Sequence, residues 1–153
     1  MSQTKKSVFI LMAEDDPDDC LMIAKALEDH RIVNRVRFVS DGEELMKYLR
    51  HEGLYSNQES NPLPALILLD LNMPKLDGRE ALQTIKSDPL LRHIPVVVLT
   101  TSKADEDIAR CYREGANSYI TKPVTFEGLV EVLKSLKNYW FEMAELPEGG
   151  SHN

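Results

Sequence analysis

The chain is poor in cysteine and has no long apolar segment, and these two absences exclude several classes of protein. Its two cysteines, Cys20 and Cys111, lie within helical patterns and not at the spacings of a disulfide framework or a zinc site. The sequence contains no run of about 18 apolar residues, the length that a membrane-spanning helix needs. We therefore expect reduced thiols and no membrane span.

Basic residues are also in the minority. The chain has 18 lysines and arginines against 25 aspartates and glutamates, for a net charge of −7, whereas a nucleic-acid-binding surface normally shows a basic stripe. Near the N-terminus, two lysines precede an apolar run at residues 8–13, which is too short for the core of a signal peptide. These features predict a cytoplasmic protein that does not bind nucleic acid.

Glycine-rich phosphate loops are absent as well. No G-x-G-x-x-G follows the first predicted strand, and no G-x-x-x-x-G-K-[ST] occurs in the sequence. Binding of a dinucleotide or of a nucleoside triphosphate therefore loses its main support.

The chain does contain a regular alternation of apolar strands and helical patterns over its 153 residues. Such alternation predicts a parallel sheet covered by helices on both faces, with right-handed crossovers. The expected fold class is therefore α/β, a single-domain doubly wound sheet of five parallel strands with five helices. Ser40 followed by Glu43 predicts a capping box at the start of the second helix. The predicted strands are residues 8–13, 33–39, 65–69, 95–100 and 118–121.

We expect one domain over residues 8–146, between an N-terminal tail (1–7) and a C-terminal tail (147–153). Residues 53–64 form a polar, proline-punctuated loop before the third strand, longer than most connections in α/β units. Such a loop is either tolerated slack or a partner surface. The last helix is predicted over residues 125–145.

The third strand is the most informative, because its apolar run ends abruptly in a carboxylate, Asp70. Ligands of open α/β sheets bind outside the carboxyl ends of the strands. Alternatively, Asp70 only caps a turn in the D-L-N-M-P segment that it begins. Other strands also end in polar side chains, which a parallel sheet brings to the same edge: Glu14, Asp15, Thr100 and Lys122.

This set of residue types suits phosphoryl transfer. Three carboxylates repel each other unless a cation lies among them, and hard oxygen ligands suit Mg²⁺, with Mn²⁺ as a substitute. An aspartate such as Asp70 can act as a nucleophile and become an aspartyl phosphate. The transferring group carries negative charge on three oxygens, which Mg²⁺, the Lys122 ammonium and the Thr100 hydroxyl are suited to stabilise.

Together these residues resemble the receiver domain of two-component response regulators, over about residues 8–140. The matching positions are Glu14-Asp15, the segment D-L-N-M-P-K-L-D-G from Asp70, Thr100 and Lys122-Pro123. The resemblance implies a flavodoxin-like sheet in the order 2-1-3-4-5. It also implies a signalling phosphoprotein that receives its phosphoryl group from a histidine kinase. Such a protein catalyses its own phosphorylation and slow dephosphorylation and is not a dedicated hydrolase.

The resemblance assigns roles to the metal ligands and to the phosphoacceptor. It makes Asp70 the phosphoacceptor, and Glu14 and Asp15 bind Mg²⁺ together with it. The main-chain carbonyl of Asn72 is a further ligand, and Asp16 is an additional candidate.

The resemblance also implies a conformational switch. Thr100, Thr101 and Lys122 contact the phosphoryl group, and the ring of Tyr119 swings inward as the Thr100 hydroxyl turns towards that group. Pro123 is the candidate for a cis peptide bond.

Three segments resemble more closely the small response regulators that are paired with bacterial and cyanobacterial phytochromes. They are the loop at 53–64, T-T-S-K-A-D-E-D-I-A-R at 100–110 and N-Y-W-F-E-M-A-E-L-P at 138–147. This resemblance implies a phytochrome-type kinase as partner. It also implies a homodimer formed through the fourth helix, the fifth strand and the fifth helix.

The aromatic triplet Tyr139, Trp140 and Phe141 is the candidate dimer or partner surface at the end of the last helix. The alternative is a wide core-facing stripe with a frayed end. The residues expected to form the core-facing stripe are Phe126, Leu129, Val130, Leu133, Leu136 and Trp140, whereas Val132 falls outside it.

Three other functions compete with this interpretation. A phosphatase of the haloacid dehalogenase type also uses a strand-end aspartate with Mg²⁺, but it needs a second carboxylate where this chain has Asn72. A receiver fold that signals without phosphorylation would not need the complete set of site residues. A fragment of a DNA-binding regulator is disfavoured by the net charge of −7 and by the absence of domain-forming sequence after residue 145.

Overall fold

The computed structural model describes residues 9–29 and 36–137. Over these residues the chain alternates between β-strands and α-helices, with one short 3₁₀-helix at Gly53–Tyr55. The strands are β1 (Ile10–Ala13), β2 (Val36–Val39), β3 (Leu66–Leu69), β4 (Val96–Thr100) and β5 (Ser118–Thr121). The helices are α1 (Pro17–Asp29), α2 (Gly42–Leu49), α3 (Gly78–Ser87), α4 (Asp105–Arg113) and α5 (Phe126–Lys137).

The strands form one parallel sheet in the order β2-β1-β3-β4-β5. This confirms the predicted fold class and the strand order implied by the resemblance. β3 lies at the centre of the sheet and every one of its residues is buried, as its unbroken apolar run predicts. Because the strands are parallel, their carboxyl ends lie along one edge. Among the described residues, no helix is long and apolar enough to cross a membrane.

Both faces of the sheet are covered by helices, so the core has two layers. One layer includes Leu45 of α2, Leu82 of α3 and Cys111 of α4. The other includes Ile23 of α1 and Leu133 of α5. The described part of the chain therefore has the doubly wound arrangement expected of alternating strands and helices.

Helix α5 packs on the sheet through the stripe expected from its sequence. Its fully buried members are Leu129, Val130, Leu133 and Leu136. Val132 is partly buried against the same layer, so the prediction that it falls outside the core stripe is wrong. Tyr139, Trp140 and Phe141 lie outside the described residues.

The start of helix α2 differs from the predicted capping box by one residue. Asp41 is the N-cap, and its carboxylate accepts a hydrogen bond from the backbone N–H of Glu44 at 2.7 Å. The Glu44 carboxylate accepts in turn from the backbone N–H of Ser40 at 2.8 Å. Half of a capping box is therefore present, because the N-cap Asp41 accepts from Glu44, whereas the return bond goes to Ser40, the residue before the N-cap.

The loop at residues 53–64 is held against its own domain. The Tyr48 hydroxyl donates to the carbonyl of Pro62 at 2.9 Å, and the Arg37 guanidinium donates to the carbonyl of Ser60 at 2.9 Å. The same guanidinium lies over the ring of Phe9, 5.3 Å from its centroid. These bonds fix the path of the loop along its own domain, and whether it is tolerated slack or a partner surface stays open.

The Lys122–Pro123 peptide bond is trans, and no cis peptide bond occurs in the described ranges. The expectation of a cis bond at Pro123 is therefore wrong for this structure. Trans is the ordinary isomer of a peptide bond before proline, and its free energy is lower than that of the cis isomer by about 0.5–1 kcal/mol.

Candidate functional site

The predicted site residues meet at the carboxyl edge of the sheet. Register pairs Ala13 of β1 with Leu69 of β3, so the residues that follow them occupy equivalent places on adjacent strands. The backbone N–H of Asp70 donates to the carbonyl of Ala13 at 3.1 Å and fixes that alignment. The side chains at this edge come from Glu14, Asp15, Asp70, Thr100 and Lys122.

Asp70 lies at the centre of this edge and is only 5% exposed. Its Oδ1 accepts hydrogen bonds from the Thr100 hydroxyl at 2.8 Å and from the backbone N–H of Asn72 at 3.2 Å. The bond from Asn72 is the turn cap that the alternative interpretation expected. Asp70 therefore closes the turn and also faces the other site residues, so the two interpretations are compatible.

Glycine 78 lets helix α3 begin directly behind Asp70. A Cβ atom on Gly78 would lie 2.2 Å from the carbonyl oxygen of Asp70 and 2.6 Å from Cα of Leu71. Both of these atoms belong to the backbone and cannot turn away. The backbone N–H of Gly78 also donates to the carbonyl of Leu71 at 3.0 Å. The segment after Asp70 is therefore folded tightly enough that only glycine fits at this position.

Lys122 is the cation of the site. Its Nζ lies 2.6 Å from Glu14 Oε1, 2.8 Å from Asp19 Oδ2 and 3.4 Å from Asp70 Oδ2. The backbone N–H of Lys122 donates to the carbonyl of Thr100 at 2.7 Å, which fixes the base of the side chain. Burial lowers the pKa of Lys122, but the hydrogen bonds to Asp19 and Glu14 outweigh it, so the net pKa is raised and the ammonium stays charged.

Glu14 is the most deeply buried carboxylate of this group, with 2% of its surface exposed. Burial raises the pKa of Glu14 to about 6, and the negative charge of Asp70 adds to the rise, while Lys122 opposes it. A carboxylate in this position is costly to leave ionised without a cation beside it. The site therefore favours binding of positive charge next to Glu14.

The arrangement fits a divalent metal ion. Carboxylate oxygens of Glu14, Asp15 and Asp70 lie within 4.8 Å of one another. They are hard oxygen ligands, the type that Mg²⁺ and Mn²⁺ bind. Among the residues that the structure describes, the Lys122 ammonium is the cation paired with Glu14 and Asp70, so the three carboxylates leave a net negative charge there. Glu14, Asp15 and Asp70 are thus the described residues suited to hold the metal.

The remaining metal candidates have other contacts in the structure. The carboxylate of Asp16 accepts a hydrogen bond from the backbone N–H of Asp18 at 2.9 Å, at the start of α1. The backbone N–H of Asp16 donates to the second carboxylate oxygen of Glu14 at 3.1 Å. Asn72 is exposed, and the ligand role of its carbonyl stays a prediction. Asp16 orients Glu14 by this bond and caps the helix.

The predicted switch residues lie on β4 and β5. Thr100 is fully buried against Asp70, whereas Thr101 is exposed. The hydroxyl of Tyr119 donates to the carbonyl of Ser102 at 3.0 Å, and its ring is partly buried against the core. Tyr119 therefore contacts the loop that follows β4, at a residue two positions after the buried threonine.

An ion pair joins the first turn of helix α3 to helix α4. The guanidinium of Arg79 makes two hydrogen bonds to the carboxylate of Asp107, both at 2.7 Å. The same carboxylate accepts from the Ser102 hydroxyl at 2.7 Å. The third guanidinium nitrogen of Arg79, Nη1, lies 3.4 Å from the carbonyl oxygen of Leu71. A chain of polar contacts thus runs from the residue after Asp70 to the loop that Tyr119 touches.

Sequence reasoning missed three residues of this region, namely Asp19, Arg79 and Asp107. Asp19 is part of the acidic run that follows β1, which is also well explained as charge complementing a helix N-terminus. The signal that could have predicted its contact with Lys122 is its position in the first turn of a helix that begins at the same edge of the sheet. Arg79 and Asp107 are 28 residues apart, and no local pattern pairs them.

The fold and the site together define the class of protein. A family model described as the response regulator receiver domain matches residues 10–134. The chain belongs to this family.

Two individual relatives are similar to this chain over most of their length. Response regulator Rcp1 of Synechocystis sp. is 39% identical over 138 residues, which cover 90% of this chain and 92% of Rcp1. The "Probable methanogenesis regulatory protein FilR2" of Methanothrix harundinacea is 42% identical over 132 residues, covering 86% of this chain and 82% of that protein.

Solved structures give a similar result. The phosphorylated cyanobacterial phytochrome response regulator RcpA superposes with a TM-score of 0.86 at 44% identity, covering 94% of this chain and all of RcpA. The Mn²⁺-bound form of Rcp1 superposes with a TM-score of 0.83 at 38% identity, covering 93% of this chain and all of that one. The resemblance to small phytochrome response regulators is therefore confirmed.

The ion pair between Arg79 and Asp107 makes a testable contribution to stability. The hydrogen bonds from Arg79 lower the pKa of Asp107 from 3.8 to about 2. A carboxylate with a lowered folded-state pKa stabilises the fold above the unfolded-state pKa, and this contribution disappears as the pH falls from about 4 to about 2. We expect Arg79→Gln to reduce the free energy of unfolding by about 1–3 kcal/mol near neutral pH. The difference from wild type should shrink over that acidic range.

Urea unfolding at a series of pH values measures this difference. Arg92→Gln is the control, because Arg92 is exposed on the surface and surface substitutions change stability by less than about 0.5 kcal/mol. A destabilisation by Arg79→Gln that stays constant between pH 4 and pH 2 would contradict the role given to Asp107.

Proposed function

We propose that this chain is a cytoplasmic response regulator that accepts a phosphoryl group on Asp70 from a histidine kinase, with Mg²⁺ bound. The placement of Asp70 carries the proposal. Thr100 and Asn72 hold one oxygen of this buried carboxylate, and Lys122 lies near the other. A nucleophile held between donors that can also stabilise a phosphoryl group is what phosphoryl transfer to a carboxylate needs.

In the proposed reaction a carboxylate oxygen of Asp70 forms a bond to phosphorus. The P–N bond of a phosphohistidine breaks, and its electron pair stays on the imidazole nitrogen, which takes up a proton from water. The Lys122 ammonium faces the added negative charge as a point charge. The Thr100 hydroxyl, which donates to Asp70 Oδ1 at 2.8 Å, is free to turn towards a phosphoryl oxygen on the same side chain.

A bound metal is part of this proposal. Glu14, Asp15 and Asp70 would hold it, and the structure of Rcp1 described as its Mn²⁺-bound form supports a divalent ion in a related protein. When bound, Mg²⁺ supplies positive charge for the oxygens of the transferring group. Glu14 and Asp15 act by keeping that charge beside Asp70.

The proposed signal leaves through the side of the sheet formed by α4, β5 and α5. Rotation of the Thr100 hydroxyl away from Asp70 Oδ1 changes the packing at the end of β4. The loop that follows β4 contains Ser102, whose carbonyl accepts from the Tyr119 hydroxyl. Tyr112 of α4 joins the same region, because its hydroxyl accepts a hydrogen bond from the backbone N–H of Tyr119 at 3.0 Å. The net charge of −7 supports output to proteins and not to nucleic acid.

A phytochrome-type photoreceptor kinase is the proposed donor. RcpA is described as a cyanobacterial phytochrome response regulator, and a third similar structure, at 36% identity with a TM-score of 0.87, is described as a response regulator in red light signalling of R. palustris. FilR2 is described as a probable methanogenesis regulatory protein, so the identity of the donor kinase needs a separate experiment.

Phosphorylation of Asp70 can be tested directly. Incubation of the full chain with acetyl phosphate and Mg²⁺ should add one phosphoryl group, whereas Asp70→Asn should add none, since an amide cannot replace the carboxylate nucleophile. Intact-mass spectrometry measures both, with a metal-free sample as control. Equal labelling of the wild type and of Asp70→Asn would overturn the proposal.

A second experiment tests the proposed partner, with histidine kinases of the source organism as phosphoryl donors. Transfer that is faster from a kinase without a phytochrome photosensory region than from a phytochrome-type kinase would exclude the proposed partner.

A further prediction concerns association. We propose that the chain forms a homodimer through the α4-β5-α5 surface, where Tyr112 is half exposed, with the aromatic triplet at 139–141 contributing to it. Sedimentation velocity should show a dimer for the wild type and a monomer for a Tyr139/Phe141→Ala double variant. A wild type that sediments as a monomer with and without phosphorylation would exclude the dimer.

A further inference from the structure

The contact between Asp19 and Lys122 has no role in the function proposed above. Asp19 Oδ2 lies 2.8 Å from Lys122 Nζ, whereas the nearer oxygen of Asp70 is 3.4 Å away. The ammonium is therefore closer to a carboxylate of helix α1 than to the residue proposed to be phosphorylated. Glu14 is the third partner, at 2.6 Å.

These contacts account for the whole donor capacity of the lysine. An ammonium has three N–H donors, and three carboxylates lie around Lys122 Nζ. The Lys122 side chain is 10% exposed, so its ammonium has little access to water. A phosphoryl group on Asp70 brings three strong acceptor oxygens to the same place. One of the three donors already faces Asp70, but at 3.4 Å. A shorter contact with the phosphoryl group, or a contact with more than one of its oxygens, requires Lys122 to give up Glu14 or Asp19.

The exposure of the two competing carboxylates indicates which one is released. The Glu14 side chain is 1% exposed, so its Oε1, which accepts from Lys122, would remain buried without that donor, at the cost of desolvating a charged oxygen. The Asp19 side chain is 26% exposed, so water can replace the lysine there. Asp19 is thus the partner that Lys122 gives up at the smaller cost.

We propose that Asp19 is a positioning residue that competes with the phosphorylated Asp70 side chain for the Lys122 ammonium. The inference rests on the proposed function, because it concerns the state in which Asp70 carries the phosphoryl group. Asp19 draws the lysine away from Asp70 in the unphosphorylated site and weakens its hold on the phosphoryl group. The two aspartates then divide one cation between them.

The chain offers a matched control for this idea. Asp18 stands beside Asp19 in the first turn of α1, carries the same charge and is exposed. The ion pairs of Lys122 are with Glu14, Asp19 and Asp70. Asp18→Asn therefore removes one negative charge near the site, whereas Asp19→Asn removes a negative charge and also the ion pair with the lysine. The difference between the two variants isolates the contact.

The test uses beryllofluoride, an acyl phosphate mimic, added to the full chain at saturating Mg²⁺. We expect Asp19→Asn to bind it about two- to fivefold more tightly than Asp18→Asn, the range for a partly exposed ion pair. Calorimetric titration measures both affinities. Equal affinities, or weaker binding by Asp19→Asn, would overturn the inference.

A second measurement needs no variant and reports the contact itself. In ¹³C-labelled wild-type protein, the side-chain carboxyl resonance of Asp19 should move when beryllofluoride binds, whereas that of Asp18 should move less. An unchanged Asp19 resonance at saturation would contradict release of the lysine. Failure of the wild type to bind beryllofluoride would count against the proposed function of Asp70. Binding with equal affinities for the two variants would count only against the role of Asp19.

Discussion

The contact of one ammonium with several carboxylates is the interaction on which the site depends. Two like charges about 4 Å apart repel each other by about 4 kcal/mol at an effective dielectric constant near 20, and Glu14, Asp15 and Asp70 have oxygens within 4.8 Å of one another. Lys122 offsets part of that repulsion through its contacts with Glu14 and Asp70. The remaining negative charge makes the edge of the sheet receptive to a metal ion.

The rest of the fold keeps these charges together while leaving the Thr100 hydroxyl free to turn. The parallel register holds the main chain of Glu14 and Asp70 on adjacent strands, and Gly78 brings helix α3 against the backbone of Asp70. The Thr100 hydroxyl, by contrast, is a single rotatable group that contacts Asp70 at the start of the loop leading to Ser102. In the function proposed above, rotation of this hydroxyl would convey a local change of charge at the sheet edge to the surface of α4 and β5.

Much of this could be predicted because it depends on local pattern and on topology. The apolar run before Asp70 predicts a central strand, and any parallel sheet brings strand ends such as Thr100 and Lys122 to one edge. The contact of Asp19 depends instead on the rotation of α1 about its axis, which packing sets. The pairing of Arg79 with Asp107 depends on how two helices approach each other in space. Neither the rotation of α1 nor the approach of the two helices can be inferred from the spacing of residues along the chain.

The central claim is that the phosphoryl group resides on Asp70, although several other carboxylates lie nearby. Borohydride reduces an acyl phosphate to an alcohol, so reduction of the phosphorylated chain converts the modified aspartate into homoserine. Peptide mass mapping then identifies the position. The account predicts homoserine at position 70 and at no other aspartate of the site. Homoserine at position 15 or 19, or a phosphoryl group that resists reduction because it resides on another residue type, would contradict it.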